Sequence, residues 1–240
     1  MQTILVCDDD KEIVDAIDIY LTGEGFQVIK AYDGYDALAL LEKNQVMNLT
    51  AITEPRQVAQ LHFLDSLTLL TLADFRHKQV IDVGCGGGFP GVPLKIACPD
   101  MGLTLLDSLG KRMTWLSQTL PALGIDDAVY LTARAEEAVA SRREQYDFAV
   151  SRAVAYLPIL CELCLPYVKT GGAFLAMKGA AAREEIQSAR NAMALLGGQL
   201  ESLAAFSIAG AEHAVVVIRK VRPTPVRFPR RFGKIKQQPL

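Results

Sequence analysis

The fold of this chain is decided by one stretch, Val80-Ile81-Asp82-Val83-Gly84-Cys85-Gly86-Gly87-Gly88-Phe89-Pro90-Gly91. Its apolar start predicts a buried parallel strand, and residues 92–98 predict a helix. Glycines at every second position let the backbone approach a ligand closely, and the N-terminus of the helix offers free N–H groups. The sequence therefore predicts a strand, a tight loop and a helix, with a ligand held at the loop.

The spacing of the glycines narrows the class of ligand. A dinucleotide-binding loop has the pattern G-x-G-x-x-G, whereas Gly84, Gly86 and Gly88 follow G-x-G-x-G with Asp82 two residues ahead. The absence of a following Lys-Ser/Thr pair excludes a P-loop. The pattern is typical of Rossmann-like methyltransferases that bind S-adenosylmethionine. Another nucleotide ligand and a purely structural glycine turn are the alternatives.

A second acidic residue supports the methyltransferase interpretation. The apolar run 103–106 ends in Asp107, about 20 residues past the loop, where an acidic side chain suits ribose hydroxyls. The alternative role for Asp107 is the N-cap of the next helix, and one carboxylate could serve both roles.

The rest of the chain alternates between strands and helices with short turns, which predicts a parallel sheet covered on both faces. The expected fold class is α/β, a Rossmann-like class I methyltransferase domain over residues 47–240, preceded by a small βαβα fragment over 1–46. Predicted strands cover 129–131, 146–151, 173–177 and 213–221, and predicted helices cover 56–72, 111–123, 157–168 and 183–196.

Composition and charge set limits on the function. Half of the 240 residues are hydrophobic, which suits one large domain with a small appendage. There is no apolar run of ~18 residues and no basic leader, so we expect a cytoplasmic protein. Cys161 and Cys164 form a C-x-x-C pair within an apolar helical run, which predicts buried thiols and no metal site.

Charge is distributed unevenly along the chain. Residues 1–46 contain ten acidic and three basic residues, a net charge of −7, and residues 219–240 contain eight basic and no acidic residues. A basic tail interspersed with prolines predicts contact with nucleic acid, with a merely solvated end as the alternative.

Residues 1–46 have a β-α-β-α pattern of their own. The strand Thr3–Cys7 ends in three aspartates, a helix is expected over 11–22, a strand over 26–31 and a second helix from about 37. This segment resembles the first part of a response-regulator receiver domain. The resemblance would require a phospho-accepting Asp soon after this segment, but no Asp occurs between Asp36 and Asp65. We therefore expect no phosphorelay activity. We expect residues 1–46 to be a structural cap or a recombination relic, which would make the chain a chimera. One edge of the first strand would be left without a partner strand. We therefore expect this edge to pair with a second copy of the chain, which would form a homodimer, or to be covered by the main domain.

Several short motifs over residues 44–240 belong together. They are Asn48-Leu49-Thr50-Ala51-Ile52, His62-Phe63-Leu64-Asp65-Ser66, the glycine loop, Leu106-Asp107-Ser108, Arg134-Ala135-Glu136-Glu137, Ser151-Arg152-Ala153, Lys178-Gly179 and the tail from Pro229-Arg230-Arg231. As a set they resemble the bacterial small-subunit rRNA methyltransferase family RsmG, also called glucose-inhibited division protein B. The resemblance implies methylation of guanine N7 at position 527 of 16S rRNA, with S-adenosylmethionine as donor and 16S rRNA or the small subunit as partner.

The candidate site residues follow from the strand ends and from the resemblance. Gly84, Gly86 and Gly88 form a backbone cradle, Phe89 can pack on the cofactor, and Asp107 takes the ribose. The resemblance assigns Ala135 and Glu136 to the adenine region, although Glu136 could instead be a first-turn helix acid. Arg152 could hold the methionine carboxylate, an RNA phosphate or a surface ion pair, and Lys178 is a weaker candidate for RNA phosphate.

No catalytic acid or base is expected, because guanine N7 carries a lone pair and no proton, so positioning is enough. The RNA-binding candidates in the tail would contact backbone without reading sequence; they are Arg222, Arg227, Arg230, Arg231, Lys234 and Lys236. Two other functions remain open: a small-molecule methyltransferase on the same fold, and an inactive chimera or scaffold with a receiver-derived cap.

Overall fold

A computed structural model describes residues 59–240, Thr22, and the backbones of Thr3–Cys7 and Gln27–Ala31. The chain divides into two compact units, Met1–Ala59 and Gln60–Leu240. Within the described residues, no helix is long and apolar enough to cross a membrane.

In the first unit, strands β1 (Thr3–Cys7) and β2 (Gln27–Ala31) pair in parallel, with Thr3 opposite Gln27. The helix predicted over 11–22, apart from Thr22, lies outside the described residues. So do the helix predicted from residue 37, the motif 48–52 and the start of the predicted helix 56–72. The receiver-like interpretation of 1–46 and the domain boundary at 46/47 therefore stay predictions.

The second unit is built on a seven-stranded sheet with the strand order β5-β4-β3-β6-β7-β9-β8. Its strands are β3 (Gln79–Val83), β4 (Gly102–Asp107), β5 (Val129–Thr132), β6 (Tyr146–Arg152), β7 (Val168–Gly179), β8 (Gly198–Ile208) and β9 (Ala211–Lys220). Strands β3 to β7 run parallel, while β9 is antiparallel to both of its neighbours. The predicted mostly parallel α/β sheet is confirmed.

Helical segments connect these strands. Segment α1 consists of a π-helical turn Ala59–Leu64, an α-helical turn Asp65–Leu67 and a 3-10 turn Thr68–Thr71. The others are α2 (Gly91–Ala97), α3 (Gly110–Thr119), α4 (Ala135–Ala138), α5 (Leu157–Cys164), α6 (Ala182–Leu196) and α7 (Phe232–Gln237). Short 3-10 turns at Leu120–Leu123, Val139–Ser141 and Leu165–Tyr167 extend α3, α4 and α5.

The sequence did not predict β8, which forms a hairpin with β9. Most residues of β8 are exposed or half-buried because it is the edge strand of the sheet, and its apolar run is only four residues long, at 203–206. Ala209 (φ 51°) and Gly210 (φ 79°) form its tight turn, in which two consecutive positive φ angles match the twist of the two strands.

The core forms where α5 and α6 pack with the central strands. Leu160, Cys161 and Cys164 of α5 are fully buried, as are Phe174 of β7 and Ile218 of β9. The two cysteines are free thiols, and burial raises the pKa of both. They are inert packing residues in this environment, because only a thiolate is a good nucleophile or metal ligand.

Candidate active site at the carboxyl ends of the parallel strands

The glycine loop connects β3 to α2 and is fixed by backbone hydrogen bonds. The Gly84 N–H donates to Leu106 O at 2.8 Å, which ties the loop to the end of β4. Gly84 has φ 75°, and a Cβ at this position would lie 2.5 Å from a methyl group of Val154. Gly84 is therefore required both for its backbone conformation and for close packing.

Gly86 differs from Gly84 in its surroundings. Its φ of 57° also favours glycine, but a Cβ built there would meet no atom within 4 Å. Its N–H donates to Asp107 Oδ2 at 3.0 Å. The loop at Gly86 therefore borders open space in which a ligand can lie against the backbone.

Asp107 lies at the end of β4 beside this loop and is 7% exposed. Its Oδ2 accepts the Gly86 N–H, and its Oδ1 accepts the N–H of Leu109 at 2.9 Å. Arg112 Nη1 lies 3.5 Å from Oδ2. Oδ2 thus has two donors and Oδ1 has one, so Asp107 fixes the turn before α3 and keeps acceptor capacity on Oδ1 for a ligand hydroxyl.

Asp82 lies beneath the loop and is fully buried. Its Oδ2 accepts the N–H of Gly91 at 2.8 Å at the start of α2, while its Oδ1 has no hydrogen-bond partner among the described residues. Burial raises the pKa of Asp82 to about 7. An unpaired buried acceptor next to a glycine cradle is complementary to a cationic group of a ligand.

Phe89, at the end of the loop, packs against α1. Its ring centroid lies 4.9 Å from that of His62 and 5.2 Å from that of Phe63. The guanidinium of Arg152 lies 5.1 Å from the centre of the same ring. Phe89 is therefore the contact that joins the loop, α1 and the end of β6. Burial lowers the pKa of His62 to about 4, so its ring is neutral at pH 7.

Arg152 ends β6 in a buried cluster with α1. Its Nη1 donates to Leu61 O at 3.0 Å and lies 3.3 Å from Asp65 Oδ2, and its side chain is 15% exposed. The other oxygen of Asp65 lies 2.9 Å from His213 Nδ1 on β9. Burial lowers the pKa of Arg152 below its ordinary range. The ion pair considered for Arg152 is therefore present, but it is buried and does not lie at the surface.

Asp65 and His213 were not among the predicted site residues. Asp65 holds Arg152, and His213, from an element far away in the chain, holds Asp65. The motif His62-Phe63-Leu64-Asp65-Ser66 drew attention to this part of α1, but nothing in its spacing indicates a partner 87 residues away.

Lys178 of β7 does not reach the surface. Its side chain is 8% exposed, and Nζ lies 2.7 Å from Glu185 Oε2 and 2.6 Å from Ala155 O. Glu185 also accepts the N–H of Leu157 at the start of α5 at 2.7 Å. The predicted contact of Lys178 with RNA phosphate is not supported by this placement, because its ammonium is already paired inside the fold.

Ala135 and Glu136 open α4, just after β5. The N–H of Ala133 donates to Asp107 O at 3.2 Å, so this loop starts beside the glycine cradle. Ala135 O accepts the hydroxyl of Tyr167 at 2.6 Å, and Glu136 lies in the first turn of α4. Both alternatives for Glu136, a helix acid and a ligand contact, are compatible with this position.

The basic tail is anchored to the domain by one of its arginines. Arg230 forms a bidentate ion pair with Glu162 of α5, at 2.8 Å and 2.6 Å, and Glu162 is fully buried. Arg230 thus anchors the tail, and its contact with RNA stays a prediction. The other five predicted tail residues are exposed, although Arg222 also donates to Ala194 O; they are Arg222, Arg227, Arg231, Lys234 and Lys236.

The sheet and the loop define a class of protein, the Rossmann-like methyltransferases. A similar fold occurs in M. jannaschii TYW2, solved in complex with AdoMet, with a TM-score of 0.55 and 11% identity over 66% of this chain and 76% of that one. Another occurs in an O-methyltransferase from Thermotoga maritima, with a TM-score of 0.53 and 16% identity over 78% of this chain and 73% of that one. The described residues contain no cluster of His, Cys, Asp and Glu suited to a metal ion.

Sequence comparison gives the particular family. The family profile "rRNA small subunit methyltransferase G" matches residues 30–215. Proteins named ribosomal RNA small subunit methyltransferase G are 45% identical in Alkaliphilus metalliredigens (84% of this chain, 86% of that one) and 42% identical in Alkaliphilus oremlandii (96% and 97%). The chain belongs to the RsmG family of methyltransferases. The predicted family and its enzyme class are confirmed.

Proposed function

We propose that this chain transfers a methyl group from S-adenosylmethionine to N7 of guanine 527 in the 16S rRNA of the small ribosomal subunit. Membership of the RsmG family supports the reaction and the RNA class. The observation that carries the proposal is the junction of Gly86 and Asp107, which joins an open backbone cradle to a carboxylate at the ends of two adjacent parallel strands. Ligands of α/β sheets bind at such strand ends.

The residues present fit S-adenosylmethionine. Gly86 leaves space beside its backbone, the free lone pair on Oδ1 of Asp107 can accept a ribose hydroxyl, and the unpaired Oδ1 of Asp82 suits the amino end of the donor. Ala135 and Glu136, which open α4 just after β5, are the candidates for the adenine region. When bound, S-adenosylmethionine supplies an electrophilic methyl group.

The protein's contribution to the reaction is positioning. Guanine N7 attacks through a lone pair and loses no proton, so no general base is needed. Two histidines close to this site have packing and pairing roles: His62 is packed on Phe89, and His213 is paired with Asp65. The groups around the strand ends therefore bind and orient the two substrates.

Arg152 is the positioning candidate on the acceptor side, where it can hold the methionine carboxylate or an RNA phosphate through its remaining N–H groups. Asp65 balances its charge at 3.3 Å. This balance matters because the acceptor guanine becomes cationic on methylation, and an unpaired cation next to it would raise the barrier.

Methyl transfer from tritiated S-adenosylmethionine to 16S rRNA lacking its N7 methyl mark tests the proposal. We expect label at one guanine. Asp107→Ala should weaken donor binding about 10- to 100-fold, since it removes a charged acceptor of hydrogen bonds. Glu201→Ala, an exposed residue of β8, is the matched control and should transfer normally. Label on small molecules only, or donor binding unchanged in Asp107→Ala, would contradict the proposal.

The finer predictions for the first unit remain part of this proposal. A receiver-derived origin of residues 1–46, a homodimer through the edge of β1 and a cytoplasmic location are all expectations. Light scattering of the full chain tests the homodimer, and a monomer with rapid amide exchange in β1 would exclude it.

A further inference from the structure

A surface pocket of about 520 Å³ lies between α4 and the tail. Arg134, Glu136 and Glu137 line it from the side of α4, and residues 229–233 line it from the tail. Neither the glycines of the loop nor Asp107 contribute to its lining. The pocket therefore lies apart from the glycine cradle and shares one residue, Glu136, with the proposed donor site.

Two features give this pocket a chemical character. The exposed guanidinium of Arg134 lies 5.6 Å from the centre of the Phe232 ring, within the range of a cation–π contact, so the two flat groups together offer a cationic and aromatic surface. The carboxylates of Glu136 and Glu137 supply acceptors on the same side. A bare phosphate would be repelled by the carboxylates, and an apolar group would match neither feature. A flat heterocycle with N–H donors satisfies both.

We propose that this pocket, called the tail pocket, takes one unpaired base of the RNA substrate, a neighbour of the methylated guanine. Guanine suits it best, because its N1–H and N2–H groups are adjacent donors that one carboxylate can accept together. RNA bases that are splayed out of a loop commonly stack on arginine planes and aromatic rings. The exposed Arg231 at the pocket is placed to meet the attached phosphate. This inference rests on the proposed function.

The base in the tail pocket cannot be the methylated one. The pocket lies beyond β5, whereas the acceptor-side residue Arg152 ends β6. These strands are separated by β4 and β3, which makes three strand spacings, or about 14 Å. A base in the pocket is therefore a second point of attachment that fixes the orientation of the RNA.

The wall of the tail pocket is formed before RNA binds. Glu162 accepts a hydrogen bond from the backbone N–H of Arg230 at 2.8 Å, in addition to those from the guanidinium of Arg230. Arg143 Nη2 donates to Phe228 O at 2.5 Å, and Ile235 of α7 is fully buried. These contacts hold the chain on both sides of Arg231 and Phe232. Preorganisation lowers the entropy lost on binding, so a single base can contribute measurably.

A nucleotide titration tests the pocket directly. The full chain, with S-adenosylmethionine present at saturation, is titrated with guanosine 5′-monophosphate and, for comparison, uridine 5′-monophosphate. Because stacking of a base is worth roughly 1–3 kcal/mol, we expect Arg134→Lys and Phe232→Leu to raise the Kd for the guanosine nucleotide at least fivefold. Arg134→Lys keeps the positive charge and removes the planar guanidinium group. Arg190→Lys, an exposed arginine of α6, is its matched control and should change nothing.

A transfer assay with substrate RNA tests the role of the pocket. Abasic sites are placed one at a time at the positions flanking the methylated guanine. One abasic site should raise the KM for RNA about tenfold in wild type and less than twofold in Arg134→Lys, with the KM for the donor unchanged. A donor KM that rises as much as the RNA KM, or abasic effects that are equal in both proteins, would overturn the proposal.

The two proposals fail in different ways. If wild type methylates no RNA, the proposed function fails, and the nucleotide titration still decides the tail pocket. An equal Kd for wild type and Arg134→Lys overturns the pocket even when methylation is normal. Phe232 is half-buried, so its variant counts only if its melting temperature matches wild type; the exposed Arg134 carries the test otherwise.

Discussion

The donor half and the acceptor half of the candidate site are built in different ways. The donor half consists of backbone atoms and one carboxylate from two adjacent strands, with Gly86 and Asp107 only 21 residues apart. The acceptor half is a buried charge cluster in which Arg152 is held by Asp65, 87 residues earlier, and Asp65 by His213. The comparison shows that one half depends on local backbone geometry and the other on the packing of distant elements.

The largest effect is expected from breaking the acceptor half. Asp65→Asn leaves the guanidinium of Arg152 buried without its carboxylate, which should cost about 3–5 kcal/mol of unfolding free energy. Urea denaturation measures this loss. Adding Arg152→Met should recover much of it, because the uncompensated charge is then gone. A loss below about 1 kcal/mol would mean that the cluster is well hydrated and that the contrast between the two halves is overstated.

The next effect concerns the buried acid beneath the donor half. The native pKa of Asp82, about 7, lies above its ordinary value of 3.8, so between these values the native state binds more protons than the unfolded state. Its contribution to stability is complete below pH 3.8 and is lost as pH rises to about 7, at roughly 1.4 kcal/mol per unit.

Urea denaturation of wild type and Asp82→Asn at several pH values between 5 and 8 measures this contribution. The difference in unfolding free energy between the two proteins should fall with rising pH up to about 7 and then level. A difference that is independent of pH would show that Asp82 is ionised throughout.

Two glycine substitutions sharpen the comparison within the donor half. Gly84→Ala brings its Cβ within 2.5 Å of Val154 and should cost about 1–3 kcal/mol of stability from strain and overpacking. Gly86→Ala meets no protein atom, so it should cost about 1–2 kcal/mol through its φ alone. We expect Gly86→Ala to lose more donor affinity, because its methyl group occupies the ligand's space. Calorimetric titration with S-adenosylmethionine checks the order, and the reverse order would move the donor away from Gly86.

The smallest effect sets a baseline for charge pairs. Arg219 and Glu201 form an ion pair at 2.5 Å and 2.9 Å on the outer strands, with side chains 39% and 42% exposed. Glu201→Ala should cost only about 0.2–1 kcal/mol, and less at high salt, because water screens exposed pairs. A loss as large as that of Asp65→Asn would remove the distinction between buried and exposed pairs on which the comparison depends.

The outcome of the sequence-based predictions follows the same division. The strand, loop and helix around Gly84, and the carboxylate of Asp107 at the next strand end, lie within one short segment whose pattern is sufficient. The edge strand β8 was not predicted, because its side chains are mostly exposed and its identity comes from pairing with β9. The pairing of Lys178 with Glu185 and of Arg230 with Glu162 also joins distant residues.

By itself, the sequence determined the α/β class and the strand, loop and helix around Gly84, and it indicated candidate residues for the donor side. These depend on local periodicity and on backbone conformations that only glycine adopts readily. The tertiary structure decided which charges are buried and paired, which tail residues face solvent, and where the tail pocket forms. Burial and pairing depend on distances between elements that are far apart in the chain, and no spacing of residues specifies those distances.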